Sequence, residues 1–126
     1  MEILTEADFV RLVNPGVVSE QLLSPHNSAS ERVTLTRVTV QPGAVQPRHS
    51  HESSEQVWVA MSGEGHLLLA GGHTRAFGAG TVARFAEGDI HGLQNTGSVP
   101  FVYMAVTAPP INFDYAYSDK RPASTG

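Results

Sequence analysis

Residues 56–95 read QVWVAMSGEGHLLLAGGHTRAFGAGTVARFAEGDIHGLQN, a chain of short apolar runs cut at close intervals by glycine. The cuts fall at Ser62-Gly63-Glu64-Gly65, Gly71-Gly72, Gly78-Ala79-Gly80 and Glu87-Gly88-Asp89. They leave runs from Gln56 to Met61, His66 to Ala70, His73 to Phe77, Thr81 to Phe85 and Ile90 to Leu93, each of strand length. Upstream, VTLTRVTVQ from Val33 to Gln41 is rich in β-branched residues and ends at Pro42-Gly43. Downstream, Asn95-Thr96-Gly97 precedes a last run from Phe101 to Thr107, closed by Pro109-Pro110. Strands this short and this evenly spaced predict an all-β sandwich or barrel. At the N-terminus, Thr5 and Asp8 predict a capped short helix with Ala7, Phe9, Val10 and Val13 as its apolar stripe, stopped by Asn14-Pro15-Gly16.

Composition agrees with that outline. The chain has 126 residues, 40% of them hydrophobic and only 16% charged, with 12 Gly and 8 Pro. That length suits one domain, and the many turn formers suit strands. Net charge is −4 and the Lys and Arg residues are scattered, so no basic stripe offers itself to nucleic acid. There is no cysteine, which removes disulfides, thiolate metal sites and thiol nucleophiles. The opening MEILTEADFVRLV carries acids where a signal peptide needs bases, and no apolar run approaches a membrane span, so a cytoplasmic protein without a membrane partner is expected.

The chemistry sits just upstream of the quoted stretch, in GAVQPRHSHESSEQ, residues 43–56. On an extended strand His49 and His51 project to one face about 7 Å apart, a spacing suited to two ligands of one metal. Glu55 and Gln56 stand side by side a short loop later, and His91 follows the Gly88-Asp89 turn. Alternation leaves two registers open. If Gln56 faces inward, Trp58 and Ala60 share its face; if Glu55 does, Val57, Val59 and Met61 share its face.

The arrangement Gly43-x5-His49-x-His51-x4-Gln56-x6-Gly63 resembles the first motif of the cupin superfamily, and Gly80-x5-Ala86-x-Gly88-x2-His91-x3-Asn95 resembles its second. Jointly they cover 43–95. The resemblance implies a single cupin domain over 1–126, a double-stranded β-helix of jelly-roll type. It further implies a divalent ion (Mn, Fe, Zn, Ni or Cu) held by His49, His51, His91 and Gln56, with Glu55 as the alternative to Gln56. Two positions depart from the family pattern: Ala86 replaces the usual proline, and the usual glutamate ligand falls on Gln56, with six residues between it and Gly63. A three-His-one-Gln site resembles cupins that isomerise unsaturated uronates, cyclise polyketides or cleave carbon–carbon bonds. It points to Lewis-acid isomerase, enolisation or lyase chemistry on a small oxygen-rich substrate, a sugar acid or keto compound. A Glu55 ligand would instead favour a dioxygenase, and a non-catalytic ligand-binding module is the alternative from outside enzymology. A homodimer is expected, with the segment from Pro109 to Tyr117 packed on a partner and residues 118–126 disordered.

Other residues carry less. Trp58 and Tyr103 are candidate pocket residues as well as core. His66, His73 and His26 are expected to play solvent or structural roles, and Arg84 to sit at an edge or interface. The glycine pairs open no helix and read as hairpin turns, not phosphate loops.

Overall fold

A computed structural model describes residues 1–111. The expectations for the segment beyond Ile111 lie outside the described residues. The described residues form ten strands: β1 (Val10–Asn14), β2 (Val17–Leu23), β3 (Thr34–Val40), β4 (Val45–His49), β5 (Glu55–Ser62), β6 (Glu64–Leu68), β7 (Thr74–Gly78), β8 (Val82–Phe85), β9 (His91–Gln94) and β10 (Phe101–Ala108). They build a six-stranded sheet in the order β1-β2-β3-β10-β5-β8 and a four-stranded sheet in the order β4-β9-β6-β7. All pairings are antiparallel, which is the double-stranded β-helix the motifs implied.

The expected N-terminal helix shrinks to one 3-10 turn, Glu6–Asp8, and its apolar stripe becomes β1. The Asp8 carboxylate accepts the Thr5 backbone N–H at 2.9 Å, so the cap is real although the helix stops at once. Asn14-Pro15-Gly16 does not terminate a helix; it turns a hairpin in which Asn14 pairs with Val17. Pro15 sets its own φ and Gly16 takes φ +75°, the requirements of a type II turn.

Alternation then sorts side chains. β3 and β10 bury every second residue, and β5 buries Gln56, Trp58 and Ala60 on its inner face. One end of the barrel is closed by Val40, Leu67, Phe77, Leu93 and Phe101, all buried. Gly63 makes that closure possible: at φ +88° a side chain there would press to 2.7 Å from the Pro100 carbonyl oxygen. The inner face towards the other end is polar, with Ser19, Gln21, Thr34, Thr36, Gln56 and Thr107 all buried. No helix among the described residues is long and apolar enough to cross a membrane.

Candidate metal centre

A cavity of ≈ 310 Å³ opens at the polar end, walled by β2, β3, β5 and β10 on one side and by β4 on the other. Three histidines stand together at it. The ring centroids of His49 and His91 are 4.4 Å apart, those of His49 and His51 5.1 Å, and those of His51 and His91 5.3 Å. One ligand nitrogen from each lies within 4.8 Å of the others, so the trio could hold a metal ion.

Local backbone explains the convergence. β4 pairs with β9, and the ladder shifts between Gln46 and His49. Gln46 opposes Leu93, so a regular ladder would put Arg48 opposite His91; the extra residue of a bulge puts His49 there instead. Pro47 sits inside the bulge, where its missing N–H breaks no ladder bond. Gly92 permits the close approach, since a Cβ there would stand 2.6 Å from the Gln46 carbonyl oxygen and 2.9 Å from the Pro47 carbonyl carbon. His51 lies just past β4, and its carbonyl accepts the Gly88 N–H at 2.8 Å. That bond ties the two sequence motifs together. Asn95 ties them again: its N–H reaches the Ala44 carbonyl at 3.1 Å, and its side-chain amide donates to the Val40 and Val99 carbonyls at 2.9 and 2.8 Å.

The imidazoles are set up as neutral donors. Burial pushes His51 and His91 down to about 4 and lowers His49 as well, with the neighbouring His49 adding to the depression at the other two. His49 Nδ1 lies 2.8 Å from the Pro47 carbonyl oxygen, and His91 Nδ1 lies 2.9 Å from that of Asp89. A carbonyl can only accept, so both rings carry their proton on Nδ1 and turn the Nε2 lone pair outward.

Strand register settles which way the adjacent pair points. Gln56 is buried and Glu55 is exposed on the outer face, where it binds Arg84 at 2.9 Å. Gln56 Nε2 donates to Thr107 Oγ1 at 2.8 Å, and the indole N–H of Trp58 donates to Gln56 Oε1 at 3.1 Å. That same oxygen lies 3.1 Å from His91 Nε2. With the His91 proton on Nδ1, two lone pairs face each other and no proton lies between them. Turning the amide over would set its NH₂ against the indole N–H, so Trp58 blocks that escape. Moving the proton to Nε2 would leave Nδ1 facing the Asp89 carbonyl with nothing to donate. A cation would accept both lone pairs, and the donor set fits a divalent ion for that reason.

Trp58 is both wall and core: it stacks on Tyr103 at 4.3 Å, meets Phe85 edge-on at 5.0 Å and lines the cavity. Tyr103 also lines it, its hydroxyl donating to Gln46 Oε1. His66 is half-buried against Thr96 at 2.9 Å, while His26 and His73 are exposed, so none of these three joins the cluster. Sequence reasoning passed over Gln46, Gly92 and Thr107, which hold Tyr103, the β4–β9 approach and Gln56 in place. The inward alternation of β10 was a usable signal for Thr107; Gln46 and Gly92 had none.

The sequence matches the family model of the Cupin domain over residues 36–107. No curated protein sequence matches it significantly. Among solved structures it is similar to an uncharacterized conserved protein with a double-stranded β-helix domain from Klebsiella pneumoniae. The TM-score is 0.73 at 24% identity, covering 87% of this chain and 91% of that one. It also resembles the polyketide cyclase RemF from Streptomyces resistomycificus, with a TM-score of 0.73, 20% identity and 96% of each chain covered. KdgF from Halomonas sp. aligns with a TM-score of 0.72 at 17% identity over 86% of this chain and 94% of that one. The cupin-fold neighbours thus include enzymes. With more than half its length matched and both motifs joined at one histidine cluster, the chain belongs to the cupin family.

Proposed function

We propose that the protein is a metal-dependent cupin enzyme in which His49, His51, His91 and Gln56 hold a divalent ion for isomerisation, enolisation or lyase chemistry. The reading rests on one observation: Gln56 Oε1 lies 3.1 Å from His91 Nε2 while the other nitrogen of that ring lies 2.9 Å from the Asp89 carbonyl oxygen, so one ring proton cannot serve both contacts. When bound, such an ion polarises a carbonyl or hydroxyl oxygen of the substrate and acidifies its neighbouring protons.

The protein residues supply the rest. Three neutral imidazoles and an amide bring no negative charge, and among the described residues lining the cavity none is Asp or Glu. The cavity therefore favours an anionic or strongly polarised oxygen. Tyr103 Oη, oriented by Gln46, can deliver a proton to that oxygen from the adjacent wall. Trp58 and Val38 give the cavity an apolar wall.

Metal analysis of wild type, Gln56→Ala and Glu55→Ala tests the assignment. We expect near-stoichiometric metal in wild type and Glu55→Ala and loss in Gln56→Ala. Zinc-loaded protein should then turn over hydroxylated keto or uronic acids without oxygen. A strict need for O₂ would favour the dioxygenase, and no metal after reconstitution would favour the binding module. The homodimer belongs to the same reading: the outer face of the six-stranded sheet carries half-buried Val57, Val59, Val102, Met104 and Val106, with Val82 and Met61 exposed. A monomeric mass in sedimentation would refute it.

A further inference from the structure

Across the inner face of the six-stranded sheet, Gln21 pairs with Thr36, Thr36 with Ala105 and Ala105 with Trp58, forming one row. Gln21 is 1% exposed and Thr36 6%, and both line the cavity. Gln21 Oε1 and Thr36 Oγ1 have no hydrogen-bond partner among the described residues, and neither does Thr34 Oγ1, the next inward residue along β3. Buried polar atoms in folded proteins are nearly always paired, and leaving one unpaired is costly. Leucine and valine at these positions would fill the same space without that cost. Nothing among the described residues uses these oxygens.

We infer that Gln21 and Thr36 form a hydroxyl-recognition subsite for a sugar-sized hydroxylated acid whose polar head reaches the histidine cluster. Gln21 Oε1 can only accept and Thr36 Oγ1 can do both, so adjacent hydroxyls of a ligand satisfy the pair. Strands lie about 4.8 Å apart, which sets β3 about 10 Å from β5 along the sheet, the reach of an extended hydroxylated chain. Val17, Val38 and Ala105 line the same cavity and suit the chain's C–H faces. A flat aromatic ligand would leave both oxygens unpaired. The inference rests on the proposed function only for where the acid head goes; the subsite needs no metal.

The test uses isothermal titration calorimetry with two probes, D-gluconate and hexanoate, which share a carboxylate and chain length and differ in hydroxyls. It uses zinc-loaded and metal-free protein, wild type, Gln21→Leu and Thr36→Val. We expect gluconate to bind wild type at least tenfold more tightly than hexanoate. Each substitution should remove about tenfold of gluconate affinity, the worth of one such hydrogen bond, with hexanoate affinity and metal content unchanged. Equal binding of the two probes, or variants that bind gluconate as wild type does, would overturn the subsite while leaving the metal assignment standing. Gluconate binding that depends on Gln21 in a protein that takes up no metal would keep the subsite and remove the metal reading. A readout in free protein is independent of either probe: Thr36→Val should raise Tm by about 3 °C, because an unpaired hydroxyl is removed. A fall in Tm would mean that the hydroxyl is bonded within the fold, and the subsite would be lost.

Discussion

Replacing Trp58 with phenylalanine removes the indole N–H that Gln56 Oε1 accepts at 3.1 Å. Without that donor the amide can turn over, giving an N–H to His91 Nε2 and its oxygen to the Thr107 hydroxyl. The turn ends the lone-pair contact at 3.1 Å and withdraws the oxygen from the histidine cluster. The lost indole bond is missing from both metal-free and metal-loaded variant and cancels; the metal-free variant gains one hydrogen bond and is relieved of one unpaired lone-pair contact, at about 1 kcal/mol each, which shifts the balance by about 2 kcal/mol, or about 30-fold in metal affinity. Outer-sphere partners of metal ligands elsewhere matter by about 10–100-fold, so the figure is of the right size. Chelator competition at fixed pH measures it, with circular dichroism to verify the fold, because the indole also packs on Tyr103 and Phe85. Affinity within about twofold of wild type in a folded protein would refute the claim that Trp58 aims the amide.

Gly92→Ala should cost about 1–3 kcal/mol, because its Cβ would meet backbone atoms of Gln46, Pro47 and Arg48 at 2.6 to 3.0 Å; thermal melts and metal analysis should both fall. An alanine variant with wild-type Tm and metal content would show that β4 can shift freely. Metal-free protein should lose stability as pH falls. His51 and His91 titrate at about 4 in the fold against 6.5 when exposed, so the unfolded chain takes up protons first and stability, full above 6.5, drains away towards 4. The loss between about pH 7 and 5.5 is about 1 kcal/mol per histidine, and a urea midpoint that does not move over that range would contradict it. Glu55→Gln should change stability by less than about 1 kcal/mol and leave metal content unaltered, since its partner Arg84 is an exposed surface contact. Metal loss in that variant would reopen the choice between Glu55 and Gln56.

What could be read from the sequence was whatever glycine punctuates. β3 and the strands from β5 to β10 fall within a residue or two of the runs between turns, and both motifs carry their spacing into the cluster. At β1 the sequence is ambiguous, because Asn14-Pro15-Gly16 ends a helix as readily as it turns a hairpin and a capping pair precedes it. β2 escaped notice for a different reason: its inward side chains, Val17, Ser19 and Gln21, include two polar ones, so the usual test of apolar in and polar out fails. Those are the residues that face the cavity. Which of Glu55 and Gln56 faces inward hung on register, which local sequence leaves open and the pairing of β5 with β8 and β10 decides.

The bulge between Gln46 and His49 makes the cluster a matter of counting. Flatten it into a regular ladder without losing a residue and the strand can still pair with β9, but a guanidinium replaces an imidazole in front of His91. That shift of one register position would put a fixed positive charge where a neutral imidazole stands, at a cluster that could hold a metal ion. Among relatives of this chain, a histidine one residue nearer that glutamine would face His91 with no bulge at all, so the count between the two tells which strands need one.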